Sequence, residues 1–423
     1  MYRMNSCRSV NSLSHTLISA KSPRLLRHAS IISTSNSRPG KGHTSQPLAV
    51  GFFRPTHFIP FNFTANNQRA SHAVASSPTP PSTVSSSSSS SQPVPYAPPS
   101  SGVLSALPSS WVPYAELIRL DKPAGTWYLF FPCLFSTLLA APVATASPLS
   151  VLWTSTLFLT GAIIMRGAGC SINDLWDRNL DPHVTRTRHR PIARGALTPF
   201  RALAFTGVQL FTGLGLLLQF PTVCLFYGIP SLLLVATYPL AKRVTYYPQF
   251  VLGLTFSWGA MMGFPALGVD LLAADAGALR VGAALLYASN VAWTVLYDMI
   301  YAHMDIRDDA RAGIKSIALK HDADTRTVLT GLAVVQIGLL AGAGIATGAG
   351  PAFFIGSCGG AALTLGYMIK KVNLKNVRDC WWWFVHGCWI TGGVISLGLG
   401  ADYLIRYLDD AEVSGPEGTK AES

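Results

Sequence analysis

The chain has 423 residues, 49% of them hydrophobic and only 12% charged, with a positive mean hydropathy, a balance that excludes an ordinary soluble domain and points to a multi-span membrane protein. Its formal net charge is +12, yet nine of the 32 Lys and Arg precede residue 116, where there is no Asp or Glu, and beyond that point 23 basic residues face 20 acidic ones. The surplus therefore belongs to a leader and to particular loops, and no nucleic-acid-binding face is indicated.

Residues 1–75 combine basic residues with many Ser and Thr and lack acids, the composition of a transit peptide, with the mitochondrion favoured over the plastid and an uncleaved basic tail as the alternative. Residues 76–110 are rich in Pro and Ser, including an unbroken serine run from Ser85 to Ser91, and read as a disordered linker. A transmembrane domain is expected over 111–408, with a polar tail over 409–423. Seven cysteines occur without a C-x-x-C pair, so neither a disulfide framework nor a zinc site is expected.

Windows of about 20 mostly apolar residues predict an all-α fold of nine spans, centred on residues 124–142, 149–172, 202–219, 223–240, 249–269, 281–302, 327–348, 351–369 and 381–403. Charge tests this count. The segment just before the first span and the loops after spans two, four, six and eight carry 19 Lys and Arg, whereas the loops after spans one, three, five and seven carry one, Arg280. That asymmetry predicts that the basic loops share one face of the bilayer, the matrix face if the leader is mitochondrial.

The second predicted span ends in Asn173-Asp174-Leu175-Trp176-Asp177-Arg178-Asn179-Leu180-Asp181. In a continuing helix Asp174, Asp177 and Asp181 fall within about 60° of one another. Near the end of the sixth span, Asp298, Asp305 and Asp309 repeat that phasing. Two facing carboxylate stripes repel unless cations lie between them, and magnesium binds through one or two carboxylates plus substrate phosphates. A diphosphate between the clusters satisfies every charge, with Arg178, Arg186, Arg190, Arg194, Lys242, Arg243 and Lys315 available for its remaining oxygens. The plain alternative is a pair of polar loops anchoring helix ends.

These residues resemble the UbiA-type intramembrane prenyltransferases, and within them the 4-hydroxybenzoate polyprenyltransferases. The resemblance is carried by Arg119-Leu120-Asp121-Lys122-Pro123, by Met165-Arg166-Gly167-Ala168-Gly169-Cys170 leading into the first motif, and by Arg186-Thr187-Arg188-His189-Arg190-Pro191. It continues through Tyr238-Pro239-Leu240-Ala241-Lys242-Arg243, Tyr297-Asp298 with the second motif, and Gly313-Ile314-Lys315-Ser316. It implies nine helices ringed around a central cavity open to lipid. It also implies Mg2+ held by Asn173, Asp174, Asp177, Asp181, Asp305 and Asp309, of which Asp174, Asp177, Asp305 and Asp309 are the expected catalytic residues. Arg178, Arg186, Arg190, Lys242 and Lys315 are then expected to bind diphosphate, and Arg243, with Arg166 and Tyr297, to meet the aromatic acid.

The implied reaction moves a polyprenyl group from polyprenyl diphosphate to the ring of 4-hydroxybenzoate, the first group being accommodated in the lipid bilayer. Homogentisate or haem as acceptor remains open, as does contact with a quinone-biosynthesis complex. A transporter is the alternative from another class, but its site belongs near the bilayer midplane, whereas both clusters here fall at helix ends.

Overall fold

A computed structural model describes residues 96–413 except 184–186 and 313–314, and describes backbone alone at 236–240, 242–243, 308 and 311–312. The expected transit peptide, the linker up to residue 95 and the tail beyond 413 lie outside the described residues. Among the described residues every regular element is helical. In chain order the helices are α1 (Val112–Leu117), α2 (Ala124–Ala140), α3 (Pro148–Trp176), α4 (Pro199–Leu217), α5 (Val223–Val244), α6 (Pro248–Phe256) and α7 (Gly259–Ala266). They continue as α8 (Gly277–Ala302), α9 (Ile306–Ala312), α10 (Ile317–Lys320), α11 (Thr325–Thr347), α12 (Gly360–Lys371, preceded by a π turn over Phe353–Gly359) and α13 (Val377–Val413).

Local chemistry sets several of these ends. Ser147 caps α3 by accepting the Ser150 N–H and Thr198 caps α4 by accepting that of Arg201, each followed by a proline at the first helical position, where no N–H is needed. Gly348 closes α11 at φ 69°, a left-handed conformation that glycine adopts without a Cβ penalty.

Each of the nine predicted segments is helical, but only six described helices are long and apolar enough to cross a membrane: α3, α4, α8, α11, the segment Phe353–Lys371 and α13. Six of the nine expected spans thus meet that measure of length and composition, and Ala124–Ala140 and Val223–Val235 are shorter apolar helices. The fifth predicted segment breaks between α6 and α7 at Ser257 and Trp258. Just beyond it Ser136 donates to the Gly259 carbonyl at 2.8 Å and accepts the Gly263 N–H at 3.0 Å, so a side chain of α2 fastens the first turn of α7.

The main core is formed by α2, α8, α11, α12 and α13, with Tyr128, Phe135, Trp293, Leu296, Leu340, Phe353 and Leu365 among its buried members. The approach of α7 to α2 requires glycine, because a Cβ on Gly263 would press on the Thr137 backbone nitrogen and the Ser136 carbonyl carbon. Backbone on that side yields less readily than a side chain. Gly263→Ala is accordingly expected to cost about 1–3 kcal/mol, read as a lower denaturation midpoint in detergent; an unchanged midpoint would show that the two helices part freely.

Hydrogen bonds between loops support the predicted sharing of one face. Tyr247, after α5, bonds His321 before α11 at 3.1 Å; Lys315 donates to the Val244 carbonyl at 3.4 Å; and Arg326 donates to the Val372 carbonyl at 3.1 Å. The loops following α5, α8 and α12 are thus joined.

Candidate active site

The first aspartate motif begins inside α3 and leaves it. The helix ends at Trp176, Asp177 is its C-cap residue, and Asp181 opens a separate 3-10 turn over Asp181–His183. The expected carboxylate stripe on one continuous helix is therefore corrected: Arg190 does the gathering. Its Nη1 lies 3.2 Å from Asp174 Oδ1 and 2.9 Å from Asp181 Oδ2, drawing together two carboxylates that are both buried. Asn173, on the exposed side of α3, accepts the Asp177 N–H through its carbonyl at 2.9 Å. Arg178 is exposed and donates to the Leu175 carbonyl at 3.3 Å, while Arg186 lies outside the described residues.

Asp174 is the most enclosed member, at 1% exposure. Arg119 donates to its Oδ1 at 2.7 Å, across 55 residues of sequence, while its other terminal nitrogen donates to the Glu116 carbonyl at 2.8 Å. To make both contacts Arg119 sits at φ 57°, a left-handed conformation that costs a non-glycine residue about 1–2 kcal/mol. Glu116 in turn pairs with Arg194 at 2.5 Å and accepts the Tyr96 hydroxyl at 2.8 Å, and the Arg194 guanidinium lies 3.8 Å from the centre of the Tyr96 ring. The chain thus engages the helical domain from Tyr96, ahead of the Trp111 boundary read from composition.

Among the described residues one atom of this lattice is unmatched: Asp174 Oδ2 is buried and has no hydrogen-bond partner there. A buried carboxylate oxygen without a partner is costly, and a hard divalent cation is the group that oxygen best satisfies. Among the described residues no three His, Cys, Asp or Glu side chains converge on one point, and magnesium bound through one or two carboxylates completes its shell with phosphate and water. The donor set therefore fits magnesium.

Arg166 reaches from α3 to the end of α1, donating to the Ile118 carbonyl at 3.3 Å and contacting Cys170 Sγ at 2.8 Å, while its buried Nε has no hydrogen-bond partner among the described residues. Gly125 makes room for it, since a Cβ there would stand 2.5 Å from Nε. Gly125→Ala is expected to displace this guanidinium and raise the KM for an anionic substrate; an unchanged KM would remove Arg166 from the site.

The second motif is divided in the same way as the first. Asp298 lies in α8, Asp305 follows its end at Ala302, and Asp309 stands on α9 with its N–H bonded to the Asp305 carbonyl at 2.8 Å. His303, within this motif, is buried and bonded to Thr325 Oγ1 at 3.0 Å, which fastens the end of α8 to the start of α11. Burial holds the imidazole below its ordinary pKa, so it stays neutral at pH 7 and acts as a packing group.

Lys315 is half-buried, with its ammonium 5.3 Å from the Tyr246 ring centre and within reach of the end of α5. That end carries Lys242 and Arg243, whose side chains lie outside the described residues. Tyr297 is 4% exposed and stacks on Tyr128 at 3.5 Å between ring centres, with Trp293 and Phe384 at its edges. The structure places it in the aromatic core rather than on an open wall.

The family description "UbiA prenyltransferase family" matches residues 129–391, a stretch that includes both aspartate motifs. The Saccharomyces cerevisiae protein named "4-hydroxybenzoate polyprenyltransferase, mitochondrial" is 45% identical over 305 residues, 72% of this chain and 79% of that protein. The Homo sapiens protein of the same name is 41% identical over 301 residues, 71% of this chain and 78% of that one. Among solved structures, a UbiA homolog from Archaeoglobus fulgidus bound to DMAPP and Mg2+ superposes with a TM-score of 0.52, covering 70% of this chain and 99% of that one. At 14% identity this likeness shows the fold alone.

Proposed function

Because the chain belongs to the UbiA prenyltransferase family, we propose that it transfers a polyprenyl group from polyprenyl diphosphate to the ring of 4-hydroxybenzoate, releasing diphosphate. The observation that carries this reading is that the family match encloses both aspartate motifs, while relatives at 45% and 41% identity bear that reaction in their names. The mitochondrial inner membrane, with the basic loops facing the matrix, is the location that the leader and the charge asymmetry support.

Asp174 would hold magnesium through its unpartnered Oδ2, with Asn173, Asp177 and Asp181 from the same motif and Asp305 and Asp309 from the other. Bound magnesium would offset the diphosphate charge and improve the leaving group. Arg119 and Arg190 keep Oδ1 occupied, so Asp174 presents one defined oxygen. Arg178, Arg186, Arg190, Lys242 and Lys315 would take the remaining phosphate oxygens.

As the bond between the allylic carbon and oxygen breaks, the site must keep water from the cation. The ring carbon beside the phenol then bonds to that carbon and the ring loses a proton. Arg243 would face the carboxylate of the acid, with the open Nε of Arg166 as a second donor.

Two experiments test these assignments. Purified protein supplied with polyprenyl diphosphate is expected to prenylate 4-hydroxybenzoate and not homogentisate; the reverse preference would overturn the acceptor. Arg243→Ala should raise the KM for the acid by roughly tenfold to a hundredfold, the worth of a charge-assisted hydrogen bond, with that for the prenyl donor little changed. An equal effect on both substrates would reassign Arg243 to the diphosphate.

A further inference from the structure

A groove with a basic end lies among residues that neither aspartate motif uses. Between α11 and α12 runs a groove of about 530 Å3 whose walls include Thr330, Ala333, Ala362 and Gly366, with Arg326 and Lys370 at one end. Its volume lies within the roughly 300–1,000 Å3 typical of small-molecule sites. Ala362 and Gly366 are exposed, and a Cβ on Gly366 would meet nothing within 4 Å, so the groove is open towards the lipid. Both walls belong to segments apolar enough to cross the membrane.

Charge is confined to the loop end. Arg326 stands in the first turn of α11 and Lys370 in the last turn of α12, and the Arg326 guanidinium is fixed at the rim by its 3.1 Å bond to the Val372 carbonyl. The acids nearest in sequence are engaged elsewhere: Asp324 with His321 at 3.3 Å, and Asp379 with the Asn373 N–H at 2.6 Å. An apolar channel ending in two cations at the water boundary matches an acyl chain ending in a phosphate. A polyprenyl diphosphate has the same form, but its diphosphate is assigned to the aspartate motifs, which leaves a phospholipid of the surrounding bilayer as the chain-bearing anion for this groove.

We propose that the α11–α12 groove is a binding site for an anionic phospholipid, its acyl chain along Ala333, Ala362 and Gly366 and its phosphate on Arg326 and Lys370. Neither cation belongs to the residues assigned to substrate or metal around the two motifs, although the first turn of α11, which carries Arg326, also bonds His303 through Thr325. Each cation near a membrane surface contributes about a fivefold factor in affinity for an anionic headgroup.

The test is native mass spectrometry of the full chain in neutral detergent with dioleoylphosphatidylglycerol or dioleoylphosphatidylcholine. Phosphatidylglycerol is expected to be retained in preference to phosphatidylcholine. Arg326→Gln or Lys370→Gln should each weaken its retention about fivefold and the pair about thirtyfold, with prenyl transfer in detergent unchanged as the check on folding. Ala362→Leu, which fills the channel, should weaken both lipids. Equal retention of the two lipids by the wild type, or undiminished phosphatidylglycerol on the double variant, would overturn the proposal. Displacement of the lipid by a long-chain prenol, or by a second copy of the chain, would give the groove to that occupant instead.

Discussion

Asp174→Asn is expected to lower prenyl transfer by about a thousandfold or more while leaving the protein folded, because it removes a motif carboxylate whose Oδ2 has no hydrogen-bond partner among the described residues. The asparagine oxygen can keep the Arg119 bond now made at 2.7 Å. The amide nitrogen must then stand where Oδ2 stood, turning a ligand for a cation into a donor that repels it. Arg119 and Arg190 are 17% and 25% exposed, so loss of the charge leaves them solvated and the fold intact. Single-turnover assays beside circular dichroism would check both halves, and a variant with full activity would remove Asp174 from the metal site. Asp305→Asn is expected to behave alike through the second motif.

Arg119→Ala should cause the largest loss of stability among substitutions near the site. It leaves Asp174, at 1% exposure, with Arg190 as its remaining described ionic partner, at 3.2 Å. Losing one partner of a buried pair costs about 3–5 kcal/mol, and the surviving pair holds the expected loss near the lower end of that range. Relief of the left-handed backbone does not explain the effect away, because alanine is strained there as arginine is. Arg119→Gly removes that strain and is expected to be only slightly less damaging. The decisive comparison is Arg119→Ala combined with Asp174→Asn. An uncharged residue 174 no longer needs the arginine, so the double variant should fall short of the summed single losses by about 1–3 kcal/mol in denaturant titrations. Simple additivity would mean that the pair contributes nothing.

The positions of the helices were legible because the bilayer demands long apolar runs, and both motifs stood out as acids at their ends. What periodicity could not show is where a helix stops. Asp177 and Asp181 fall in phase with Asp174 only if α3 continues past Trp176, and it does not. The functional proximity of Asp174 and Asp181 survives because Arg190, nine residues beyond Asp181, reaches both.

Arg119 was visible as part of a resembling pattern, but nothing local betrayed a bond to a residue 55 positions away or a left-handed backbone. Tyr96 was likewise hidden in a segment whose composition reads as linker. The break between α6 and α7 was masked because hydropathy registers apolar character and not where a backbone ladder is interrupted, and the Ser136 bonds that fasten the first turn of α7 come from a distant helix. Tyr297 was given a place beside the aromatic acid by the resembling pattern; that it also packs against Tyr128 depends on how α2 meets α8 and leaves no mark in the sequence.

The central claim is that the two aspartate motifs hold a magnesium diphosphate for transfer to an aromatic ring, and its most direct test is product formation by the purified chain across a magnesium titration. Polyprenyl diphosphate and 4-hydroxybenzoate should yield 3-polyprenyl-4-hydroxybenzoate and diphosphate in equal amounts by mass spectrometry, rising with magnesium and vanishing in excess chelator. No product at any magnesium concentration, or full product in chelator, would contradict it.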